Sequence, residues 1–490
     1  MKYLVIVFIF FGGCMVGPNY IPPENNVTDC FAPIQEVERV ADQCTSPITE
    51  WWKIFDDPLL TKYIEMAGVH NQDILAAEAN ILQARAMKQV TASALFPQIG
   101  LDLNATKTYF SKNGPIFAVG PSTGSLPGTV SPTSGLPFAV QIPQIQNLFN
   151  ALFDATWEID LFGKTRRSVE AAVATIGSAI EKKNNILISV FAELARNFME
   201  IRSYQKRLTL TEKNIHLLEQ KAIIIQKQFE SGYVSKLDYE NIEATLSTAR
   251  AVLPEVKAEI YRSIFTLSVL TGQVPEALLE ELLTPEPLPK APPRIGVGLR
   301  SDLLLRRPDI RNAERQLAAA TANIGVAVAS FFPSISLIAD GGFQSLSIRN
   351  LFTAASRTWA IGGDVNMPIF QGGALLGNLR ATRAAAASAA HIYQKTVLQA
   401  LQETESALTS YSEDLLSSYE LSETVERNRE LVNLSTQRHS KGLVSRLNLL
   451  DSENQLITAE LSFLDRETAT LVDLITLYKA LGGGWEAVEN

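Results

Sequence analysis

The chain is written twice, and that duplication limits what it can fold into more than any other feature. The segment from Gln72-Asp73-Ile74 to Leu95-Phe96-Pro97-Gln98-Ile99 returns as Pro308-Asp309-Ile310 to Phe331-Phe332-Pro333-Ser334-Ile335, displaced by 236 at both ends (73 to 309, 97 to 333). A later pair, Gly232-Tyr233-Val234-Ser235-Lys236-Leu237 and Gly442-Leu443-Val444-Ser445-Arg446-Leu447, is displaced by 210 (232 to 442), so the first copy holds 236 − 210 = 26 extra residues between the landmarks. One supersecondary design is used twice, and function is to be read from the repeated unit.

Inside each unit the apolar period changes. The stretch from Leu59 to Ala94 reads as one helix, stopped by Pro97. Beyond it the period becomes two: Ile99, Leu101, Leu103 and Ala105 alternate with Gln98, Gly100, Asp102, Asn104 and Thr106. A Gly-, Pro- and Ser-rich loop over 111–147 leads to a second alternating run, with Phe153, Ala155, Trp157, Ile159 and Leu161 set against Asp154, Thr156, Glu158 and Asp160. A helix from about Thr165 to Phe229 would be on the order of 100 Å long. Leu187, Phe191, Leu194, Phe198, Ile201 and Leu208 give it a coiled-coil stripe. Gly232 turns it back into a second helix over about 237–270, and five prolines within 284–298 mark a stiff linker. The second copy repeats the order, with strands carrying Ile335, Leu337, Ala339 and Phe343, then Trp359, Ile361, Val365, Met367 and Ile369. A long helix over about 375–438, the Gly442 turn and a last helix to Leu481 follow.

No mature stretch is apolar for long enough to make a spanning helix. The net charge of −9 argues against nucleic acid as a partner. The N-terminus is a targeting segment: Lys2, the apolar run 4–11, then Gly12-Gly13 before Cys14. Ending at Cys14 resembles a bacterial lipobox, in which that cysteine is acylated and becomes the mature N-terminus; a plain signal peptide cleaved elsewhere is the alternative. Export places Cys30 and Cys44 in an oxidising compartment, where they either close a small loop or stand as free thiols.

Four amphipathic strands of about 10–14 residues in an exported chain have the length and dyad period of transmembrane β-strands. Four cannot close a barrel, and open edges cannot persist in hydrocarbon, so the barrel is expected to be shared among subunits. If the apolar face meets lipid, the inner face carries Asp102, Asp154, Glu158, Asp160, Asp340 and Asp364, an acidic and mildly cation-preferring pore. Enzyme readings fare poorly. His70, His216, His391 and His439 show no catalytic or ligand spacing, and no metal or cofactor is expected. Gly163-Lys164-Thr165 and Gly372-Gly373 with Gly377 tempt as phosphate loops but lack the full spacing and suit tight turns.

Leu299-Arg300-Ser301-Asp302-Leu303-Leu304-Leu305-Arg306-Arg307-Pro308-Asp309-Ile310-Arg311, followed by Ala313-Glu314 and by Phe331-Phe332-Pro333-Ser334-Ile335, resembles the signature of the TolC-like outer membrane factors. Cys14 with Gly17-Pro18-Asn19-Tyr20, and Trp51-Trp52 with Phe55 and Asp57-Pro58-Leu59, resemble their lipoprotein branch. The resemblance implies an α+β membrane protein. In it, a homotrimer joins a twelve-stranded outer-membrane barrel, four strands per chain, to a long coiled-coil periplasmic tunnel with an equatorial domain. It implies a passive exit duct of a tripartite efflux pump for drugs or metal ions, joined through a periplasmic adaptor to an inner-membrane transporter of the resistance-nodulation-division type. A duct for type I protein secretion and a lipid-anchored coiled-coil scaffold are the alternatives.

The expected layout is a signal peptide over 1–13, a lipidated N-terminal and equatorial segment over 14–60, and a first repeat over 61–283. That repeat has strands near 98–110 and 148–162 and a helix hairpin over 164–271. The linker over 284–298 precedes a second repeat over 299–481, with strands near 334–345 and 357–370 and a hairpin over 374–481; a tail over 482–490 ends the chain. The resemblance also places the adaptor-docking tips at Gly232, Val234, Gly442 and Val444, and the narrow periplasmic entrance at Leu447, Asn448 and Asp451.

Overall fold

A computed structural model describes residues 14–23, 28, 31–32, 34–42, 49–111 and 144–487. The expected signal segment, Cys30, Cys44 and most of the 111–147 loop lie outside the described residues. In chain order the elements are α1 (Gln35–Val40), β1 (Ala41–Asp42), α2 (Pro58–His70), α3 (Gln72–Ser93), β2 (Gln98–Tyr109), β3 (Ile145–Ile159), α4 (Lys164–Glu230), α5 (Lys236–Leu270) and α6 (Leu279–Leu282). Then come β4 (Ile295–Gly296), α7 (Leu303–Arg306), α8 (Pro308–Ala329), β5 (Ser334–Ser345), β6 (Arg357–Asn366), α9 (Ala374–Ser440) and α10 (Arg446–Ala480). The hairpins match residue for residue: α4 and α9 have 67 residues each, α5 and α10 have 35 each. The extra residues of the first copy therefore fall in the β2–β3 connection. The chain forms two compact units.

One unit holds Met1–Asn19, Met87–Ala172 and Thr321–Ala384. Its sheet is antiparallel in the order β2-β3-β5-β6. β3 begins at Ile145, three residues before the expected 148, and ends at Ile159; β6 ends at Asn366, short of the expected 370. Pro368 explains the early stop of β6, because it has no N–H for a ladder. Met367 and Ile369 consequently lie outside the strand.

The other unit holds Tyr20–Ala86, Val173–Ala320 and Ala385–Asn490. Its core is helical. Leu187, Phe191, Leu194, Phe198 and Ile201 of the expected α4 stripe are all buried, with Leu464, Leu471, Leu474 and Tyr478 of α10 in the same cluster. Trp51 stacks on Tyr478 at 5.6 Å between centroids. The proline-rich linker is strapped down. Fully buried Arg202 donates to Thr284 O (3.1 Å) and to Glu286 Oε2 (2.5 Å), and Tyr411 OH donates to Pro292 O (2.5 Å). The parallel pair β1–β4 (Ala41 with Ile295, Asp42 with Gly296) ties it further.

The helix expected over 59–94 is two helices. Asn71, extended at ψ 130, breaks it. Its Oδ1 accepts from Asp73 N (2.9 Å) and Ile74 N (3.2 Å), capping α3, and its Nδ2 donates to Leu270 O (2.8 Å) at the end of α5. An asparagine inside a helical pattern is such a competitor for backbone bonds.

Candidate functional site

In the antiparallel register, residues opposite one another share a face. Ile99, Leu101 and Leu103, Phe153 and Ala155, Leu337 and Ala339, and Trp359, Ile361 and Val365 share the odd-numbered face. That face is bare in one chain: Ile99 is 73 % exposed and Ile361 77 %. The other face brings together Asp102, Asp154, Glu158, Asp340 and Asp364. Asp154 stands opposite Asp340, and Glu158 and Asp364 both stand opposite Ser336. Gly100 faces Asp154, and a Cβ there would sit 2.6 Å from the carboxylate, so the glycine makes room for the acid. The register places no lysine or arginine on this face. Asp160 departs from the expectation. It lies one residue past β3, where its Oδ2 accepts from Arg166 N (2.8 Å) and pairs with Arg166 Nε (3.3 Å), with its side chain 8 % exposed. It caps the start of α4.

The two helical turns share one backbone design. Gly232 (φ 74) and Gly442 (φ 73) take the left-handed conformation. Tyr233 N donates to Gln228 O (2.8 Å) and Leu443 N to Arg438 O (2.9 Å), bonds that close the ends of α4 and α9. Ser235 and Ser445 then cap α5 and α10, accepting from Asp238 N and Asn448 N. Gly232, Gly442 and their neighbours are exposed, with Val234 and Val444 half-buried between them. No atom lies within 4 Å of a Cβ built on either glycine, so only the backbone angle demands glycine there.

Just past the second turn, Leu447 is half-buried, and Asn448 and Asp451 are exposed; Leu449 and Leu450, beside them, are buried. Asp451 has a partner that the sequence did not disclose: Lys221 of α4 donates from Nζ to Oδ1 at 2.6 Å. Arg446 donates to Gln220 Oε1 (2.7 Å) and lies 3.6 Å from Glu453. Lys221 and Asp451 stand 230 residues apart, so no local pattern could pair them. Cys14 is exposed with a free thiol. In Gly163-Lys164-Thr165 the glycine lies at φ 82 between β3 and α4, a left-handed conformation that favours glycine. Among the described residues no helix is long and apolar enough to cross a membrane, and no group of His, Cys, Asp or Glu is placed to hold a metal.

Comparison with known proteins agrees with this geometry. The sequence profile described as outer membrane efflux protein matches residues 63–273 and 299–483. A probable efflux pump outer membrane protein, SepC of Pseudomonas putida, is 29% identical over 100% of this chain and 98% of its own length. Nodulation protein T of Rhizobium leguminosarum bv. viciae is 27% identical over 98% of this chain and 92% of its own. Among solved structures, the outer-membrane channel OprN superposes with a TM-score of 0.81 at 29% identity, over 96% of this chain and 100% of that one. The open state of the Neisseria gonorrhoeae MtrE outer membrane channel gives 0.77 at 25% identity, over 96% of this chain and 99% of that one. With its duplicated strand pairs, its paired helical hairpins and a match across most of its length, the chain belongs to the outer membrane efflux protein family and is an outer-membrane efflux channel.

Proposed function

We propose that three copies of this chain close a twelve-stranded barrel and form the passive exit duct of a tripartite pump. The observation that carries this reading is the sheet: four strands, two unpaired edges (β2 and β6) and one bare apolar face. In hydrocarbon each unpaired backbone group costs several kcal/mol, so both edges must find strands of other copies. Three chains leave a lumen, whereas two would give eight strands and a filled interior.

The acid face then lines the lumen through Asp102, Asp154, Glu158, Asp340 and Asp364. Like charges directly opposite one another, as Asp154 and Asp340 are, destabilise a sheet, and their attraction for cations is the compensating use. The duct supplies no chemistry of its own. Small molecules, drugs or metal ions, cross it as cargo, and energy comes from an inner-membrane transporter of the resistance-nodulation-division type. A periplasmic adaptor docks on the turns at Gly232, Val234, Gly442 and Val444. Leu447, Asn448 and Asp451 narrow the entrance, and the Lys221–Asp451 pair ties α10 to α4 in that narrowed arrangement. Acyl chains on Cys14 anchor the chain in the outer membrane.

Single-channel recording in planar bilayers tests the reading. The wild-type protein should conduct with cation-selective reversal potentials, and Leu447→Ala with Asp451→Ala should raise conductance. Anion selectivity would remove the acid-lined lumen, and an unchanged conductance would remove the entrance assignment. A detergent-solubilised monomer that leaves vesicles sealed would remove the duct.

A further inference from the structure

Arg167, in the first turn of α4, is 1 % exposed. A buried guanidinium is tolerated only where its donors find acceptors. Its Nε donates to Val16 O (3.2 Å), and its Nη2 donates to Gly17 O (3.3 Å) and to Asn19 Oδ1 (2.7 Å). Nη1 donates to Glu170 Oε2 (2.7 Å) on its own helix. Three of these four acceptors belong to the segment that follows Cys14. Val16 N in turn donates to Phe162 O (3.2 Å), three residues beyond the end of β3.

Glycines shape the seat on each side. Gly17 lies at φ +92, and a Cβ on it would meet Gly325 Cα at 2.5 Å. A Cβ on Gly325 would meet Arg167 Cδ at 2.8 Å, and one on Gly163 would meet Met15 Cγ at 2.5 Å. The first is an approach of backbone to backbone that no larger residue permits, and the other two seat the Arg167 and Met15 side chains against glycine. Cys14 is left exposed at the end of the seated segment.

We propose that Arg167, Gly325, Gly163 and the Phe162 carbonyl form an intramolecular binding site for residues 15–19, and that Arg167 is a positioning residue for the anchor. Val16 is two residue steps from Cys14, a reach of about 7 Å at roughly 3.3–3.6 Å per residue. The seat therefore holds Cys14 at the foot of β3, and acyl chains attached there enter the bilayer against the strands of their own chain rather than at the end of a loose tether. The placement of the acyl chains rests on the lipidation and membrane readings above; the seat itself does not.

Hydrogen exchange on the full-length, detergent-solubilised protein reads the seat directly. The Val16 amide, which donates to Phe162 O, should be protected in the parent and in Cys14→Ser. Protection should be lost in Gly17→Val and Arg167→Met, and exchange in Asn19→Ala should be faster by about tenfold, the loss of one charge-assisted hydrogen bond. If Arg167→Met does not fold, Gly17→Val and Asn19→Ala still decide the matter, since neither changes a residue of α4. Equal protection in parent and Gly17→Val overturns the seat. A photoreactive fatty acid incorporated at Cys14 tests the placement: crosslinks should fall on odd-numbered residues of β3 in the parent and scatter in Gly17→Val. Scattered crosslinks in the parent overturn the positioning role. Absence of any acyl chain on Cys14 by mass spectrometry removes the lipidation reading while leaving the exchange result to judge the seat.

Discussion

The two copies share a backbone and differ in chemistry at matched positions. Where α2 meets α3 stands Asn71; 236 residues later, where α7 meets α8, stands Arg307. Each reaches the last carbonyl of the returning helix of its own copy: Asn71 Nδ2 to Leu270 O and Arg307 Nη1 to Ala480 O, both at 2.8 Å. Asn71 otherwise caps α3, whereas Arg307 forks onto Asp309 (3.0 and 2.7 Å) and reaches Glu403 (2.7 Å). The turns differ likewise. Leu237 answers to Leu447, yet Asn241 stands where Asp451 stands, and Leu431 where Lys221 stands, so the matched pair of α9 and α5 cannot form the ion pair that joins α4 to α10. The lesson is that duplication fixed the joints and turns, while charged groups secure only the second copy's returning helix at both ends, one of them, Lys221, supplied by the first copy.

The comparison can be broken first at the joints. Arg307→Met strands carboxylates and a helix-end carbonyl, and should cost about 3 kcal/mol, at the low end for a buried ion pair because Glu403 is half in solvent. Asn71→Ala should cost about 1–2 kcal/mol, the worth of a cap. Thermal unfolding in detergent would measure both, and equal losses would erase the distinction between the copies. At the turns, Gly232→Val and Gly442→Val should each lose about 1–2 kcal/mol to backbone strain, with no steric difference between them. Trimers should persist in both, and adaptor binding should fall; binding at wild-type strength in both variants would count against docking at the turns. Lys221→Ala should change stability by less than about 1 kcal/mol, since the pair with Asp451 is half-exposed. Its effect should appear in conductance, which should rise, while Leu431→Ala, at the matched position, should leave conductance alone.

The smallest effect concerns Asp473, whose counterpart in the first copy is Ser263. Burial, and then the charge of Asp414, raise the Asp473 carboxyl above the ordinary aspartate range. An acid raised in this way adds stability that is fully present below its unfolded pKa and is lost as pH rises through the folded value. Asp473→Asn should therefore flatten the fall in melting temperature as pH rises above the ordinary aspartate range. An unchanged slope would assign the pH dependence to another group.

Much of this architecture could be read before any coordinates. The period-two runs put Ile99, Leu101, Phe153 and Trp359 on one face of the sheet, as the register has them, and the paired glycines located both turns. Their signal is local, since side-chain period and backbone conformation are properties of neighbours in sequence. Asn71 escaped because its helical surroundings outweighed one capping side chain. Asp160 was grouped with the strand acids because alternation does not reveal where pairing stops. Lys221, Arg167 and the bonds of Arg307 to Glu403 and Ala480 were invisible because each depends on a partner 96 to 230 residues away, which only the fold brings near.

The equal lengths of the hairpins constrain how such a chain can change. With 67 residues out and 35 back in each copy, both turns come the same number of residues after the start of their long helix. An insertion of one heptad into α4 and α5 alone would carry one turn about 10 Å past the other. A partner that grips both at once would then lose half its footing, so length must vary in the two copies together or not at all.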